Sequence, residues 1–327
     1  MTRIFSGVRP SGKLHLGNYL GALKNWVELQ NQTEEESRVF MVADYHGITT
    51  PFESKIYNGQ IFDTVCEFLA AGLDSKKVLL IRQSQVPQHT ELAWIFNTIT
   101  PISWLDRLPT YKEQLEKIKS NNIGLLDYPV LMAADILIYK ANLVPVGEDQ
   151  LPHIDLTNEI LKKFNSMFGQ TFEPVKAHLA PGRRIMSLQN PENKMSKTGD
   201  EGIALTDSPD EIREKIKKAV TDSGKEIKFD EKNKPAISNL STIYSLLSNT
   251  KISDIEKEYE GKTYVEFKND LTEVIIEFLK PFQKKYNELK NNHGEVEKIL
   301  ETSEEKARIE AQKTLNEVKQ KIGVLSQ

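Results

Sequence analysis

The run Arg38-Val39-Phe40-Met41-Val42-Ala43 carries no polar side chain from Val39 to Ala43, so it cannot be a strand with one face in water. Three further short runs have the same texture: Arg3-Ile4-Phe5-Ser6-Gly7-Val8, Val78-Leu79-Leu80-Ile81-Arg82 and Leu143-Val144-Pro145-Val146. Stretches of helical spacing separate them, from Tyr19 to about Gln30 with Leu20, Leu23 and Val27 on one face, and from about Glu53 to Leu73. Continuous apolar strands alternating with helices predict an α/β chain with a parallel sheet covered on both faces. Ligands of such sheets collect beyond the carboxyl ends of the strands, and Ser11, His46 and Gln83 each follow one.

Residues Leu92 to Lys119 and Leu125 to Lys140 read as mainly helical, an insertion over the sheet spanning about 92–140. Leu143–Val146 leads through Gly147-Glu148-Asp149 into a helix from Gln150 to about Phe168. From Ser208 the chain becomes Lys/Glu-rich, with helices expected near Ser208–Val220, Ile237–Leu247, Thr263–Asn291 and Glu295–Lys321, and Gly294 as the turn between the last two. With 327 residues, 39% of them hydrophobic, the chain exceeds one average domain. The expected division is 1–205 and 206–327, with part of the second region packing back on the first. No stretch reaches the roughly 18 to 20 apolar residues of a membrane span, and the N-terminus lacks a signal or transit pattern, so a cytoplasmic protein without membrane contact is expected. Cys66 is the sole cysteine, which excludes an internal disulfide and a cysteine-rich metal cluster; it shares a helical face with Phe62, Leu69 and Leu73 and reads as core.

Two short segments carry chemistry. Pro10-Ser11-Gly12-Lys13-Leu14-His15-Leu16-Gly17-Asn18 leaves the first strand and enters a helix, where backbone N–H groups and the helix N-terminus receive an anion. His15 adds a neutral donor, and Gly17 removes a side chain where a purine or ribose would lie flat. Lys194-Met195-Ser196-Lys197-Thr198 places two lysines three apart among hydroxyls, in a Pro/Asn/Gly-rich stretch able to swing cations onto a leaving pyrophosphate. Either alone is equally well an ordinary turn or a solvated loop; together, a domain apart and in this order, they point to an ATP site that adenylates a carboxylate.

The pair resembles the HIGH-type and KMSKS-type signatures of class I aminoacyl-tRNA synthetases. Asp44-Tyr45-His46-Gly47-Ile48-Thr49, Tyr128-Pro129-Val130-Leu131-Met132-Ala133-Ala134-Asp135-Ile136-Leu137, Val144-Pro145-Val146-Gly147-Glu148-Asp149-Gln150 and Arg184-Ile185-Met186-Ser187-Leu188 narrow it to the bacterial or organellar tryptophanyl-tRNA synthetases, nearly end to end. The resemblance implies a Rossmann-like doubly wound parallel sheet with a C-terminal α-helical domain that reads the anticodon, a homodimer, and L-tryptophan, ATP with Mg²⁺ on the nucleotide, and tRNA(Trp) as substrates, with no protein-bound metal cluster. It implies that Arg9, Pro10, Ser11, Gly17, Asn18, Gly147, Glu148, Asp149, Ile185, Met195, Ser196 and Thr198 bind ATP, Asp149 on the ribose. Lys194 and Lys197 then follow the pyrophosphate, with His15 catalytic beside them and Lys112 assisting.

Tyr128, Met132 and Asp135 are spaced i, i+4, i+7, one helix face, with Pro129 suited to that helix's first turn. An acid among apolar neighbours needs a donor, and an indole N–H only donates; a structural ion pair is the other reading of Asp135. By resemblance, Asp135 accepts the indole N–H, Met132 packs on the ring, Tyr128 and Gln150 reach the amino group, and Phe5, His46 and Val144 line the pocket.

The net charge of −4 runs against the phosphate contacts a tRNA partner requires. Basic runs at Arg213, Lys215, Lys217 and Lys218 and at Lys280, Lys284, Lys285 and Lys290 alternate with acids, and read equally as solvated faces with ion pairs. The chain departs from the family pattern in Asn18 for the last His of the first motif, Thr198 for the last Ser of the second, and Arg9 where Gln is usual. A tyrosyl-tRNA synthetase, a small HxGH adenylyltransferase and a noncatalytic paralogue remain as alternatives. The Met132/Asp135 helix and Gly147–Gln150 turn, the long helical C-terminal region, and intact Lys194, Lys197 and Asp149 weigh against them respectively.

Overall fold

The computed structural model of the chain describes residues 2–32, 37–109, 111, 122–179, 184–195 and 201–325. Within them, β1 (Arg3–Val8), β2 (Ser37–Val42), β3 (Leu79–Arg82), β4 (Leu143–Val146) and β5 (Lys176–Leu179) form one sheet in the order β3-β2-β1-β4-β5. Every ladder is parallel. The chain winds outward from β1 through β2 to β3, then crosses back to β4 and β5 on the other side, so the strand order reverses between β1 and β4, where doubly wound sheets take ligands.

Strand periodicity explains why both faces are apolar. Along β2, Phe40 and Val42 enter one core with Trp26, Phe68 and Leu80, while Val39 and Met41 enter the other with Phe5, Ile81 and Phe96. Trp26 stacks on Phe40 at 4.7 Å and meets Phe68 edge-on at 5.3 Å, and Cys66 lies buried in the same core.

The helices that cover these faces follow their local signals. The first motif opens α1 (Leu16–Asn18), a π-helical turn (Tyr19–Leu23) and α2 (Lys24–Gln32); α3 (Asp44–Gly47) and α4 (Ser54–Ala70) follow β2. After β3 come α5 (Gln88–Asn97), α6 (Ile102–Asp106) and α7 (Ile123–Leu137), and after β4 a 3₁₀ turn (Glu148–Gln150) and α8 (Leu151–Phe168). The C-terminal region holds α9 (Pro209–Lys218), α10 (Pro235–Ser248), α11 (Ile252–Glu258), α12 (Tyr264–Asn291) and α13 (His293–Lys321). Capping boxes Ser208/Glu211 and Thr263/Glu266 start α9 and α12. On α13, Ala307, Ala311, Leu315 and Val318 are fully buried in the same core as Phe5 and Val39. Arg82 ties α13 to β3: its side chain donates to Glu304 at 2.7 and 3.0 Å and to Glu297 at 3.0 Å.

Several local expectations need correction. β5 lacks an apolar run because it is a short edge strand, half wet along its length, and α11 is a two-turn helix with a single buried residue, Ile255. The break before α13 falls at Asn292, with Gly294 already helical. Helix α7 starts at the Asn122 cap, whose side chain accepts the Leu125 N–H at 2.9 Å, so Pro129 sits in the second turn rather than the first. The segment Tyr19–Leu23 winds as a π turn, and residues 98–101 interrupt the helix expected from Leu92.

Candidate active site

A cleft of about 650 Å³ opens over the carboxyl ends of β1 and β4. Its position follows from the sheet. The β1–β4 ladder pairs Ile4 with Leu143, and further along the Ser6 hydroxyl donates to the Pro145 carbonyl at 2.8 Å. Proline has no N–H to give to a ladder, so the two strands are joined there by a side chain.

Backbone pairing brings the two motifs to this cleft. The Leu16 N–H donates to the Ile203 carbonyl at 2.9 Å and the Leu205 N–H to Leu14 at 2.8 Å, so the chain just past the second motif lies antiparallel to the first. Before it, Met195 donates to Ile185 at 3.1 Å and Ser187 to Asn193 at 2.8 Å, closing a tight hairpin that presents Lys194. Gly17 is required at the junction: a Cβ there would come within 3.0 Å of the His15 ring and 3.5 Å of Met195. His15 caps α1, its Nδ1 accepting the Asn18 N–H at 3.3 Å while Asn18 Oδ1 accepts the His15 N–H at 3.1 Å, which leaves the ring proton on Nε2.

At one end of the cleft Lys194 Nζ stands 3.5 Å from Asp149 Oδ1, and Gln150 Nε2 donates to Asp149 Oδ2 at 2.8 Å. Partial burial pushes the Asp149 carboxyl up, but Gln150 and Lys194 outweigh it and hold the group below the usual carboxylate range. Gly147 lies so near that a Cβ would meet Asp149 Oδ1 at 2.7 Å.

At the other end Asp135, 1% exposed, accepts from three side chains: His46 Nε2 at 2.7 Å, His89 Nδ1 at 2.6 Å and Gln83 Nε2 at 2.8 and 3.0 Å. Burial pushes its carboxyl up; the two histidines pull it down further, to about 2, so Asp135 is an anion at neutral pH. Phe5, Met132 and Val144 supply the apolar wall around it. Beside them the Tyr128 hydroxyl and His153 Nε2 are 2.9 Å apart. Burial, and then the neighbouring His46, press the His153 imidazole down to about 4, so it is neutral at pH 7.

Of the residues singled out in the sequence, Phe5, Arg9, Gly17, Asn18, His46, Tyr128, Met132, Asp135, Val144, Gly147, Glu148, Asp149, Gln150, Ile185, Lys194 and Met195 line this one cleft. Pro10, Ser11 and His15 are not among its lining residues; Pro10 and His15 are buried and Ser11 is exposed. Lys112, Ser196, Lys197 and Thr198 lie outside the described residues. The sequence reading missed Gln83 as a partner of Asp135, and missed His89, Tyr139 and His153 altogether. A histidine at i on the i, i+3, i+4, i+7 face shared with Leu92, Ala93 and Phe96 was the available signal for His89. Arg213, Lys215, Lys218, Lys280 and Lys290, candidates for phosphate contact, each pair with a carboxylate.

A parallel sheet with a split between β1 and β4, a turn and a half-exposed Lys194–Asp149 pair at one end, and a buried anion in an apolar wall at the other describe a site for a nucleotide and an amphipathic acid side by side. The chain belongs to the class I tRNA synthetases of the W and Y family, whose pattern matches residues 1–280. Within that family its relatives are tryptophan enzymes. It is 45% identical over 326 residues to Tryptophan--tRNA ligase of Rickettsia conorii, covering 98% of both chains, and 44% identical over 330 residues to that of Helicobacter pylori, covering 99% of both. The fold superposes on tryptophanyl-tRNA synthetase from Mycoplasma pneumoniae with a TM-score of 0.90 at 31% identity, covering 100% of this chain and 99% of that one. Against the Campylobacter jejuni enzyme, complexed with ADP and tryptophan, the TM-score is 0.86 at 32% identity over 98% and 100% of the two chains. The chain is thus an aminoacyl-tRNA ligase of the tryptophan branch.

Proposed function

We propose that this cleft joins L-tryptophan to ATP, and that the residues at its two ends divide the work. The observation that carries this reading is Asp135: a buried anion, offered by an apolar wall, takes a group that donates and does not accept, and the indole N–H is that group. Met132, Phe5 and Val144 hold the ring, while Tyr128 and Gln150 receive the ammonium group. Arg9, Pro10, Ser11, Gly17, Asn18 and the Gly147–Asp149 turn hold ATP, with Ile185, Met195, Ser196 and Thr198 beside it and Asp149 on the ribose. Among the described residues no cluster of three or more His, Cys, Asp or Glu side chains is arranged to hold a metal ion, and Mg²⁺ enters as part of the nucleotide substrate.

The chemistry needs little proton transfer. The tryptophan carboxylate, already ionised, attacks the α-phosphorus in line; the bond from phosphorus to the bridging oxygen breaks and pyrophosphate leaves with the electron pair. Lys194, Lys197 and the His15 N–H stabilise the charge that builds on the leaving group, so positioning and electrostatics carry the rate. A hydroxyl of the 3′-terminal ribose of tRNA(Trp) then attacks the acyl carbon and AMP departs.

The C-terminal region, 206–327, reads the anticodon in this scheme. A second copy of the chain covers Trp94, Ile102 and Ile123, large apolar side chains 71%, 67% and 82% exposed on α5, α6 and the start of α7. Among the described residues no helix is long and apolar enough to cross a membrane.

The test is ATP–pyrophosphate exchange with L-tryptophan, L-tyrosine and L-phenylalanine, for the protein and for Asp135→Ala. Exchange driven by tryptophan, with the tryptophan-to-phenylalanine ratio of kcat/KM falling ten- to a hundredfold in the variant, is expected for the loss of about 1.5 to 3 kcal/mol of charge-assisted hydrogen bond. An unchanged ratio removes Asp135 from selection, and exchange driven by tyrosine overturns the substrate.

A further inference from the structure

Asp135 has more partners than an acceptor for one N–H requires, and they reach back into the fold. His89, wholly buried on α5, has both ring nitrogens engaged: Nδ1 lies 2.6 Å from Asp135 Oδ1 and Nε2 lies 2.9 Å from the Tyr139 hydroxyl. Tyr139 is 1% exposed and stacks on Phe5, a wall of the cleft, with ring centres 5.9 Å apart.

Hydrogen-bond chemistry fixes the directions. A carboxylate only accepts, so His89 Nδ1 carries a proton, and the Tyr139 hydroxyl, which can donate or accept, pairs with Nε2. Burial raises the Tyr139 phenol well above its ordinary range, so it stays protonated and available for that role. The amide of Gln83 is equally constrained: its Oε1 accepts the backbone N–H of Tyr45 at 3.1 Å and of His46 at 3.4 Å, which turns Nε2 toward Asp135. A carboxylate offers about four acceptor positions. His89 takes Oδ1, His46 takes Oδ2 and Gln83 Nε2 reaches both, and Asp135 lines the cleft held in that frame.

We propose that His89, backed by Tyr139, is a positioning residue for amino-acid selection: the Tyr139 hydroxyl holds His89 at Nε2 with Nδ1–H toward Asp135, and that N–H with Gln83 fixes how the Asp135 carboxylate faces the ring in the cleft. Its consequence is selection for a ring bearing N–H over an isosteric ring without one. The proposal presupposes that Asp135 meets the indole N–H, and goes beyond it by assigning the aim of that contact to residues that never touch the substrate.

The probe is 3-(benzothiophen-3-yl)-L-alanine, in which sulfur replaces the indole N–H. ATP–pyrophosphate exchange gives the ratio of kcat/KM for tryptophan over this analogue in the full chain and in His89→Leu, His89→Asn, Tyr139→Phe and Asp135→Ala, with folding followed by circular dichroism. His89→Leu is expected to lower the ratio about tenfold and Tyr139→Phe about threefold, while His89→Asn, whose amide nitrogen stands where Nδ1 stood, keeps it within about twofold. A purely structural role lowers activity on both amino acids alike and leaves the ratio in place. If His89→Leu does not fold, Tyr139→Phe against His89→Asn decides. Loss of discrimination in Asp135→Ala with the wild-type ratio in His89→Leu and Tyr139→Phe overturns the positioning role alone; a wild-type ratio in Asp135→Ala overturns it together with the indole reading.

Discussion

Adding one methyl group at Gly147 separates nucleotide handling from every other property of the cleft. Gly147 has φ −76° and ψ 161°, extended backbone that alanine adopts without strain. The substitution therefore costs the fold nothing locally and gains roughly 0.4 to 1 kcal/mol by restricting the unfolded chain. The new Cβ would stand 2.7 Å from Asp149 Oδ1, where carbon and oxygen in contact need about 3.3 Å or more. The carboxylate is the far end of a half-exposed side chain, so it retreats by roughly half an ångström rather than displacing backbone. That retreat moves the group assigned to the ATP ribose and disturbs its bonds to Gln150 and Lys194. Losing one charge-assisted hydrogen bond is worth about 1.5 to 3 kcal/mol, or ten- to a hundredfold in kcat/KM for ATP. Pyrophosphate exchange at varied ATP and saturating tryptophan should show that fall, tryptophan affinity measured by fluorescence should fall less, because Gln150, assigned to the ammonium group, loses only its bond to Asp149, and the urea midpoint should hold or rise. Wild-type ATP dependence in folded Gly147→Ala would refute the role of the turn, and so would an equal loss of tryptophan affinity.

Three further outcomes can be measured, two argued from the structure and one from the second sequence motif. His153, held down to about 4 against an ordinary value of 6.5, binds its proton in the unfolded chain first; stability is therefore complete above pH 6.5 and falls by about 3 kcal/mol as pH drops toward 4, a slope that urea titrations should find missing from His153→Gln. Arg82→Ala strands the Glu304 carboxylate, whose side chain is 3% exposed, and should cost about 3 to 5 kcal/mol in urea unfolding, whereas Arg82→Met with Glu304→Leu recovers most of it; equal losses in the single and double variants would show that the buried charge is not what matters. Lys197→Ala should slow single-turnover adenylate formation about a hundredfold with tryptophan affinity unchanged, because its charge acts only as pyrophosphate develops.

What could be read in the sequence was what local pattern determines. β1 to β4 are legible because a strand buried on both faces has no room for polar side chains, and the edge strand β5, Lys-Ala-His-Leu, is illegible for the converse reason. The Tyr128, Met132, Asp135 face is legible because helical spacing alone brings those residues to one side of α7, and all three line the cleft. The partners of Asp135 are another matter. His46, Gln83 and His89 are 89, 52 and 46 residues away in sequence, on α3, the turn after β3 and α5, and only tertiary packing brings them to α7. The sequence leaves a structural ion pair open for Asp135, and its partners are two histidines and an amide, groups that bind a carboxylate without burying a permanent countercharge.

That choice of partners bears on how such a site tells amino acids apart. An apolar pocket alone separates ligands differing by a methylene by only about 10- to 200-fold, while a site that leaves its own or the ligand's polar group unpaired separates them far more. A lysine or arginine on Asp135 would have buried a permanent countercharge beside the ring. Donation by His46, His89 and Gln83 holds the anion in place at the wall of the cleft, where the indole N–H meets it in the function proposed above. In that reading phenylalanine brings no donor to the Asp135 carboxylate, and tyrosine brings a hydroxyl whose oxygen, after donating, still needs a donor of its own. The indole N–H gives one proton, asks for nothing in return, and is flanked by ring carbon that the same apolar wall accepts.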